Sequence, residues 1–184
     1  MQLPIQVTTG AGALVPGLIC TMSQEHLFQI ETIWRGILLA LQEPDKAWNW
    51  EYKLRLTTNE DRFEAYVVEV DTLAQGVILI ETQWHRSQFD EPLSSRTPLV
   101  YVEYLATAPW NRRTVENPPF YRGIGGTLMA FVRTRSAELG FDGRVGLHAL
   151  PGADGFYRRQ KMPNYGPDPD KDGLVYFEYG TLQL

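Results

Sequence analysis

Residues 121–129, Tyr-Arg-Gly-Ile-Gly-Gly-Thr-Leu-Met, carry the most chemically suggestive spacing in the chain. Three glycines in four positions stand between a strand-like run, Leu99 to Ala106, and a helical run that reaches Leu139. A glycine inside a helix costs up to about 1 kcal/mol relative to alanine, so the cluster needs a reason. One reason is anion binding: a helix start without side chains lets unpaired backbone N–H groups close on a phosphate, with the helix dipole favouring the charge. The other is mechanical, a turn that lets helix and sheet pack closely. On this segment alone both readings stay open. A P-loop and a dinucleotide-binding turn are excluded, because no Gly-Lys-Ser/Thr follows and no glycine stands two residues before Gly123.

Other reactive side chains are few. Glu103 is the ionisable residue inside an otherwise apolar strand, where desolvation would raise its pKa toward that of a general base. The alternative places it on a solvated face, alternating with inward Val102 and Tyr104. His26, His85 and His148 show no metal-ligand spacing and no partner cysteines, so no metal is expected. Asp168-Pro-Asp-Lys-Asp-Gly173 imitates the first half of a calcium loop, but its twelfth position is Tyr179 and no helix precedes it, so it reads as a hairpin loop. Cys20 has nothing nearby to lower its pKa and is not a candidate nucleophile.

The elements that must position these groups can be read from periodicity. Gln2–Thr8 is a short strand followed by a Gly-rich loop. Thr21 and Gln24 have capping-box spacing ahead of Leu27, Ile30, Ile33, Trp34, Ile37, Leu38 and Leu41, an amphipathic helix ended near Pro44, with a short second helix toward Trp50. Trp48, Trp50 and Tyr52 read as core or pocket lining, since no basic stripe accompanies them. Arg62–Asp71 and Gln75–Trp84 form an antiparallel pair, residues 86–98 a polar loop, and Leu99–Ala106 a third strand stopped by Pro109. The glycine cluster opens a helix that Gly140 ends. Gly143–Leu150 is a strand, Gly152–Gln160 a short helix and Leu174–Tyr179 a last strand. Strand, crossover helix, strand implies a right-handed parallel connection. The fold class is therefore α/β (α+β), a mixed sheet flanked by helices.

Composition narrows the partners. At 184 residues, with 43% hydrophobic and 21% charged residues, the chain reads as one globular domain, 1–184. A net charge of −5 argues against nucleic acid. The N-terminal region has no signal-peptide pattern, the stretch Ala11 to Cys20 is too short to span a bilayer, and the single cysteine suits a reducing compartment, so a cytoplasmic location and no membrane partner are expected.

Three segments, in order and spacing, resemble the GNAT acyltransferases over roughly residues 62–180. Glu103-Tyr-Leu-Ala-Thr-Ala-Pro109 is like the family's cofactor-lining strand, Arg122-Gly-Ile-Gly-Gly-Thr-Leu-Met129 like its pyrophosphate turn and helix, and Ala153-Asp-Gly-Phe-Tyr157 like the short helix that ends in a catalytic tyrosine. The resemblance implies acetyl-CoA as donor, no metal, and direct transfer to an amine acceptor, with no covalent acyl-enzyme. It implies that backbone groups of Leu105, Ala106 and Thr107 line the pantetheine, and that N–H groups of Arg122, Gly123, Ile124, Gly125, Gly126 and Thr127 hold the pyrophosphate. Glu103 is then the candidate base and Tyr157 the donor to the departing thiolate. Arg122, Arg158, Arg159 and Lys161 could add local positive charge. Phe120 stands where the family has Gln or Arg, and Leu150 where many members have Asn seven residues before the tyrosine. A second reading is a catalytically silent acyl-CoA-binding or sensing module, and transfer to oxygen would use the same cofactor site. Acceptor choice would fall to Leu27–Trp50 and Arg86–Pro98, whose aromatic and acidic content suits a cationic amine with apolar bulk. A homodimer is common among such domains.

Overall fold

A computed structural model describes residues 1–88 and 96–181; part of the expected acceptor loop, residues 89–95, lies outside these. The elements are β1 (Gln2–Thr9), β2 (Leu14–Thr21), α1 (Gln24–Gln29), a π-helical turn (Ile30–Trp34), α2 (Arg35–Ala40), α3 (Trp50–Asn59), β3 (Phe63–Val70), β4 (Leu73–Glu81), β5 (Val100–Thr107), β6 (Tyr121–Arg122), α4 (Ile124–Glu138), β7 (Val145–Ala149), α5 (Asp154–Arg159), β8 (Asn164–Pro167) and β9 (Val175–Tyr179). Short 3₁₀ turns follow β5 and β8, at Pro109–Asn111 and Pro169–Lys171. Among the described residues the strands form a nine-stranded mixed sheet in the order β6-β1-β2-β3-β4-β5-β7-β9-β8. The chain divides into two compact units, one of Met1–Leu79 with Tyr104–Leu128, the other of Ile80–Glu103 with Met129–Leu184.

In the first unit β1 and β2 form an antiparallel hairpin from Gln2↔Cys20 to Thr8↔Leu14, and β6 extends it through Thr8↔Arg122. The sequence reads the residues after Thr8 as a Gly-rich loop, and the structure corrects Leu14–Thr21 to strand. The β2–β3 ladder runs from Leu18↔Glu69 to Thr21↔Tyr66, so Pro16 lies beyond it, where a missing N–H is tolerated. Gly17 is needed there: a Cβ would stand 2.9 Å from the Glu69 carbonyl oxygen and 3.0 Å from Val7.

The first helix is capped two residues later than the Thr21–Gln24 spacing suggests. Ser23 is the N-cap, its hydroxyl accepting from the His26 N–H while the His26 ring accepts from the Ser23 N–H, so histidine does the work usually given to glutamine. The π-helical turn then widens the spacing of the buried stripe to Leu27, Ile30, Trp34 and Leu38, and turns Ile33 and Leu41 to solvent. A second helix begins rather than ends at Trp50, because the Asn49 side chain accepts the Tyr52 N–H at 2.8 Å. These helices cover a core containing Val67, Val77, Leu79 and Ala106.

In the second unit β5 and β7 run parallel, as the crossover argument requires, paired at Val100↔Val145 and Tyr101↔Gly146. β7 pairs antiparallel with β9 along its whole length. Among the described residues the β5–β7 ladder holds only those two pairs, and β7 continues to Ala149 against β9 alone. Gly140 ends α4 in the left-handed region at φ 82°, with Phe141 N–H donating back to the Ser136 carbonyl.

Candidate functional site

The glycine cluster lies in the first unit and resolves into separate roles. Gly123 has φ 78°, and a Cβ placed on it would meet nothing within 4 Å, so its need is conformational. Close packing against the start of α4 involves Gly76 of β4, where a Cβ would stand 2.5 Å from Ile124 Cγ2 and 3.2 Å from Leu128 Cδ1. The first hydrogen bond of α4 runs from Thr127 N–H to the Gly123 carbonyl at 2.8 Å. The N–H groups of Ile124, Gly125 and Gly126 precede it and belong to the unpaired first turn, whereas the Thr127 N–H is used by the helix itself. Arg122 is fixed from both sides, its backbone in β6 and its guanidinium donating to the Gly10 carbonyl.

Of the strand residues assigned to the cofactor, Leu105 and Thr107 are half-buried and Ala106 is buried. The Thr107 carbonyl already accepts from Arg112 Nε at 3.1 Å and Nη2 at 2.7 Å. Arg112 also bridges to Asp45 at 2.7 Å and Glu43 at 2.8 Å, and these carboxylates outweigh burial to hold it firmly protonated. The guanidinium therefore ties the end of β5 to the loop before α3. Trp50 of the predicted aromatic lining is buried, while Tyr52 points to solvent. Between Trp48, Trp50 and Tyr104 sits the Lys53 ammonium, 3.6 Å from the Tyr104 ring centre.

The second unit gathers the ionisable groups. Glu103 is half-buried, its side chain 29% exposed, and a nitrogen of His85 lies 3.8 Å from its carboxylate. His85 is positioned by Glu81, fully buried at the end of β4, whose carboxylate accepts the N–H groups of Gln83, Trp84 and His85. The imidazole stacks on Tyr101, ring centres 4.0 Å apart and planes within 11°. The Tyr101 hydroxyl lies 2.6 Å from His148 Nδ1, and His148 Nε2 lies 2.9 Å from Asp168. The result is a continuous series, Glu103, His85, Tyr101, His148, Asp168. Burial lowers the His148 pKa despite Asp168, and the His148 hydrogen bond lowers that of Asp168. Burial and the Glu103 charge keep Tyr101 protonated.

Tyr157 lies on α5, 93% buried, with its ring 5.4 Å from that of Phe177. Burial pushes its pKa up to about 12. Arg158, Arg159 and Lys161 beside it are exposed. Sequence reasoning singled out Glu103 and Tyr157 but not His85, Tyr101 or Asp168 as companions. One signal was present: Tyr101 and Glu103 are two apart on a strand and so share a face. The separations from Glu103 to His85 and from His148 to Asp168 have no such period. The histidine argument also changes, because folding brings Cys20 and Glu69 to His26.

This architecture recurs in solved structures. The GNAT domain of PAT from S. lividans superposes with a TM-score of 0.61 at 11% identity, covering 96% of each chain. The Bacillus subtilis N-acetyltransferase YlbP, in complex with coenzyme A, gives 0.55 at 10% identity over 98% of this chain and 97% of that one. An aminoglycoside acetyltransferase from an uncultured soil metagenomic sample, in complex with sisomicin, gives 0.51 at 20% identity over 79% of this chain and 87% of that one. No protein-family model matches the chain, and no curated protein does.

Proposed function

We propose that this chain, which carries the GNAT acetyltransferase fold, is an acetyl-CoA-dependent N-acetyltransferase. The observation that carries the reading is the start of α4: a left-handed Gly123 with space around it, followed by the three first-turn N–H groups of Ile124, Gly125 and Gly126. Such a turn suits a pyrophosphate, whose charge the helix dipole favours. In this reading Leu105 and Ala106 offer backbone groups to the pantetheine arm.

The chemistry sets two demands. An alkyl ammonium with pKa near 10.4 must lose a proton at neutral pH, which costs about 4–5 kcal/mol. Glu103 takes that proton, with His85 as its polar neighbour. The free amine then attacks the thioester carbonyl, the C–N bond forms, and as the C–S bond breaks the acylated nitrogen sheds its second proton, by way of solvent, to the departing thiolate, leaving the amide and the CoA thiol. The electron pair leaves on sulfur, where the Tyr157 hydroxyl donates a hydrogen bond. The acceptor is a small-molecule or peptide amine, and the Lys53 ammonium among Trp48, Trp50 and Tyr104 is an internal example of a cation held by aromatic rings. No helix among the described residues is long and apolar enough to cross a membrane.

The test is release of the CoA thiol from acetyl-CoA against a panel of polyamines, amino acids, aminoglycosides and peptide N-termini. Turnover with any of them supports the enzyme. Acetyl-CoA binding without turnover on the whole panel supports a sensing module instead, and no binding removes both readings.

A further inference from the structure

Away from the groups discussed above, the first unit holds a second constellation. Cys20 near the end of β2, His26 on α1 and Glu69 of β3 converge on one point, with donor atoms all within 4.8 Å of one another. His26 Nε2 lies 3.0 Å from Glu69 Oε2 and 3.9 Å from Cys20 Sγ. Cys20 and His26 are buried, 7% and 5% exposed, and Glu69 is half-buried. All three line a cavity of about 690 Å³ that opens to solvent, together with Leu18, Ser23 and Thr72.

We propose that Cys20, His26 and Glu69 form a zinc site with three protein ligands and a fourth position open to the cavity. The donor set is the first argument. Thiolate, imidazole and carboxylate together match zinc and are unlike the all-oxygen shells of magnesium or calcium. Spacing is the second. Zn–S near 2.3 Å with Zn–N and Zn–O near 2.0 Å puts tetrahedral ligand atoms about 3.3–3.5 Å apart, and the observed 3.0 and 3.9 Å bracket that edge. The third edge, from Cys20 Sγ to the Glu69 carboxylate, lies within 4.8 Å, so loading draws the thiol toward the other two donors.

The protons balance simply. Without metal, His26 Nδ1 accepts from the Ser23 N–H at 3.1 Å, so Nε2 carries the ring proton toward Glu69. On loading, the thiol proton leaves to solvent as the Zn–S bond forms. The ring proton moves to Nδ1, where Ser23 Oγ at 3.0 Å accepts it and orients the ligand, and the Ser23 N–H gives up its bond to Nδ1, so loading exchanges that half of the capping box for the metal bond. The ion then links β2, α1 and β3.

The site is tested on the untagged full-length chain, stripped with chelator and titrated with Co²⁺ as the spectroscopic probe, then with Zn²⁺. One equivalent should give a thiolate-to-cobalt charge-transfer band with the intense visible spectrum of a tetrahedral ion, and zinc should displace it. Zinc at 100 times its dissociation constant should raise the thermal midpoint by roughly 5–10 °C. Cys20→Ser should abolish the charge-transfer band, and Glu69→Gln should weaken binding by roughly 10-fold or more. Far-UV circular dichroism of both variants confirms that they fold. Absence of the band in the native chain, or its persistence in Cys20→Ser, overturns the site. Unchanged cobalt affinity in Glu69→Gln removes that residue and with it the three-ligand proposal. Acetyl transfer is not read, so failure of that activity leaves this result intact.

Discussion

Burial determines what Tyr157 can contribute. A phenol held up to about 12 stays protonated throughout the neutral range, yet it is a weaker acid than a thiol near 8.5 by about 3.5 units, or roughly 5 kcal/mol. Complete transfer to the departing thiolate is therefore uphill, and the useful contribution is a hydrogen bond that strengthens as charge grows on sulfur. Replacing Tyr157 by Phe should lower kcat by about 10²-fold while leaving acetyl-CoA affinity nearly unchanged by calorimetry. The alkaline limb of the native pH–rate profile should show no break attributable to it below about pH 11. Wild-type turnover in Tyr157→Phe would reduce the residue to packing against Phe177. Glu103 makes a prediction of different form. If it removes the ammonium proton, Glu103→Gln should lower kcat/KM about 10²-fold at pH 7, and the deficit should shrink as pH rises toward the acceptor's own pKa, because the acceptor then arrives deprotonated. A deficit constant with pH would instead mark Glu103 as a binding group for the cation.

Conformational freedom and close approach, the two uses of glycine, are each visible at a single residue of the first unit. Gly123 supplies the left-handed turn and Gly76 of β4 supplies the contact with Ile124 and Leu128. A Gly76→Ala methyl would stand 2.5 Å from Ile124 Cγ2, and the branched side chain at the start of α4 must move to admit it. The expected loss is about 1–3 kcal/mol in urea unfolding, with weaker acetyl-CoA binding because the displaced turn is the proposed phosphate cradle. Unaltered affinity alongside lost stability would separate that turn from the cofactor. The elements themselves were legible in proportion to their local signals. Long periodic runs such as α4 and strands rich in β-branched residues such as β3 and β4 declare themselves, and so does the parallel pairing of β5 with β7. β2 was hidden by Pro16 and Gly17, which are tolerated only because of where the β3 ladder ends. β6 and β8, of two and four residues, are too short to carry a period. The same limit applies to the proposed site: Glu103 stands out as a charge in an apolar strand, but His85 and Asp168 become its companions only through loop contacts that leave no spacing in the sequence.

At the scale of the whole molecule, acid should destabilise this protein through a group that its net charge does not reveal. The formal charge of −5 predicts that mild acidification relieves self-repulsion. The His148–Asp168 pair acts in the opposite sense. Burial lowers the folded-state pKa of His148 below its ordinary 6.5, so between those two values the unfolded chain binds more protons. Its contribution is complete above about pH 6.5 and is lost as pH falls below it. Asp168 has the same sign at lower pH: its folded pKa lies below 3.8, and its contribution disappears as pH falls through that lowered value. For the histidine alone the slope cannot exceed about 1.4 kcal/mol per pH unit. His148→Gln removes the titrating group and retains polar atoms to face Tyr101 and Asp168, while sharing every other charge with the native chain. The native thermal midpoint should therefore decline between pH 7 and 5.5, and the decline should be distinctly shallower in His148→Gln. Parallel profiles would mean that His148 protonates as easily in the folded chain as in the unfolded one, with Asp168 fully offsetting its burial.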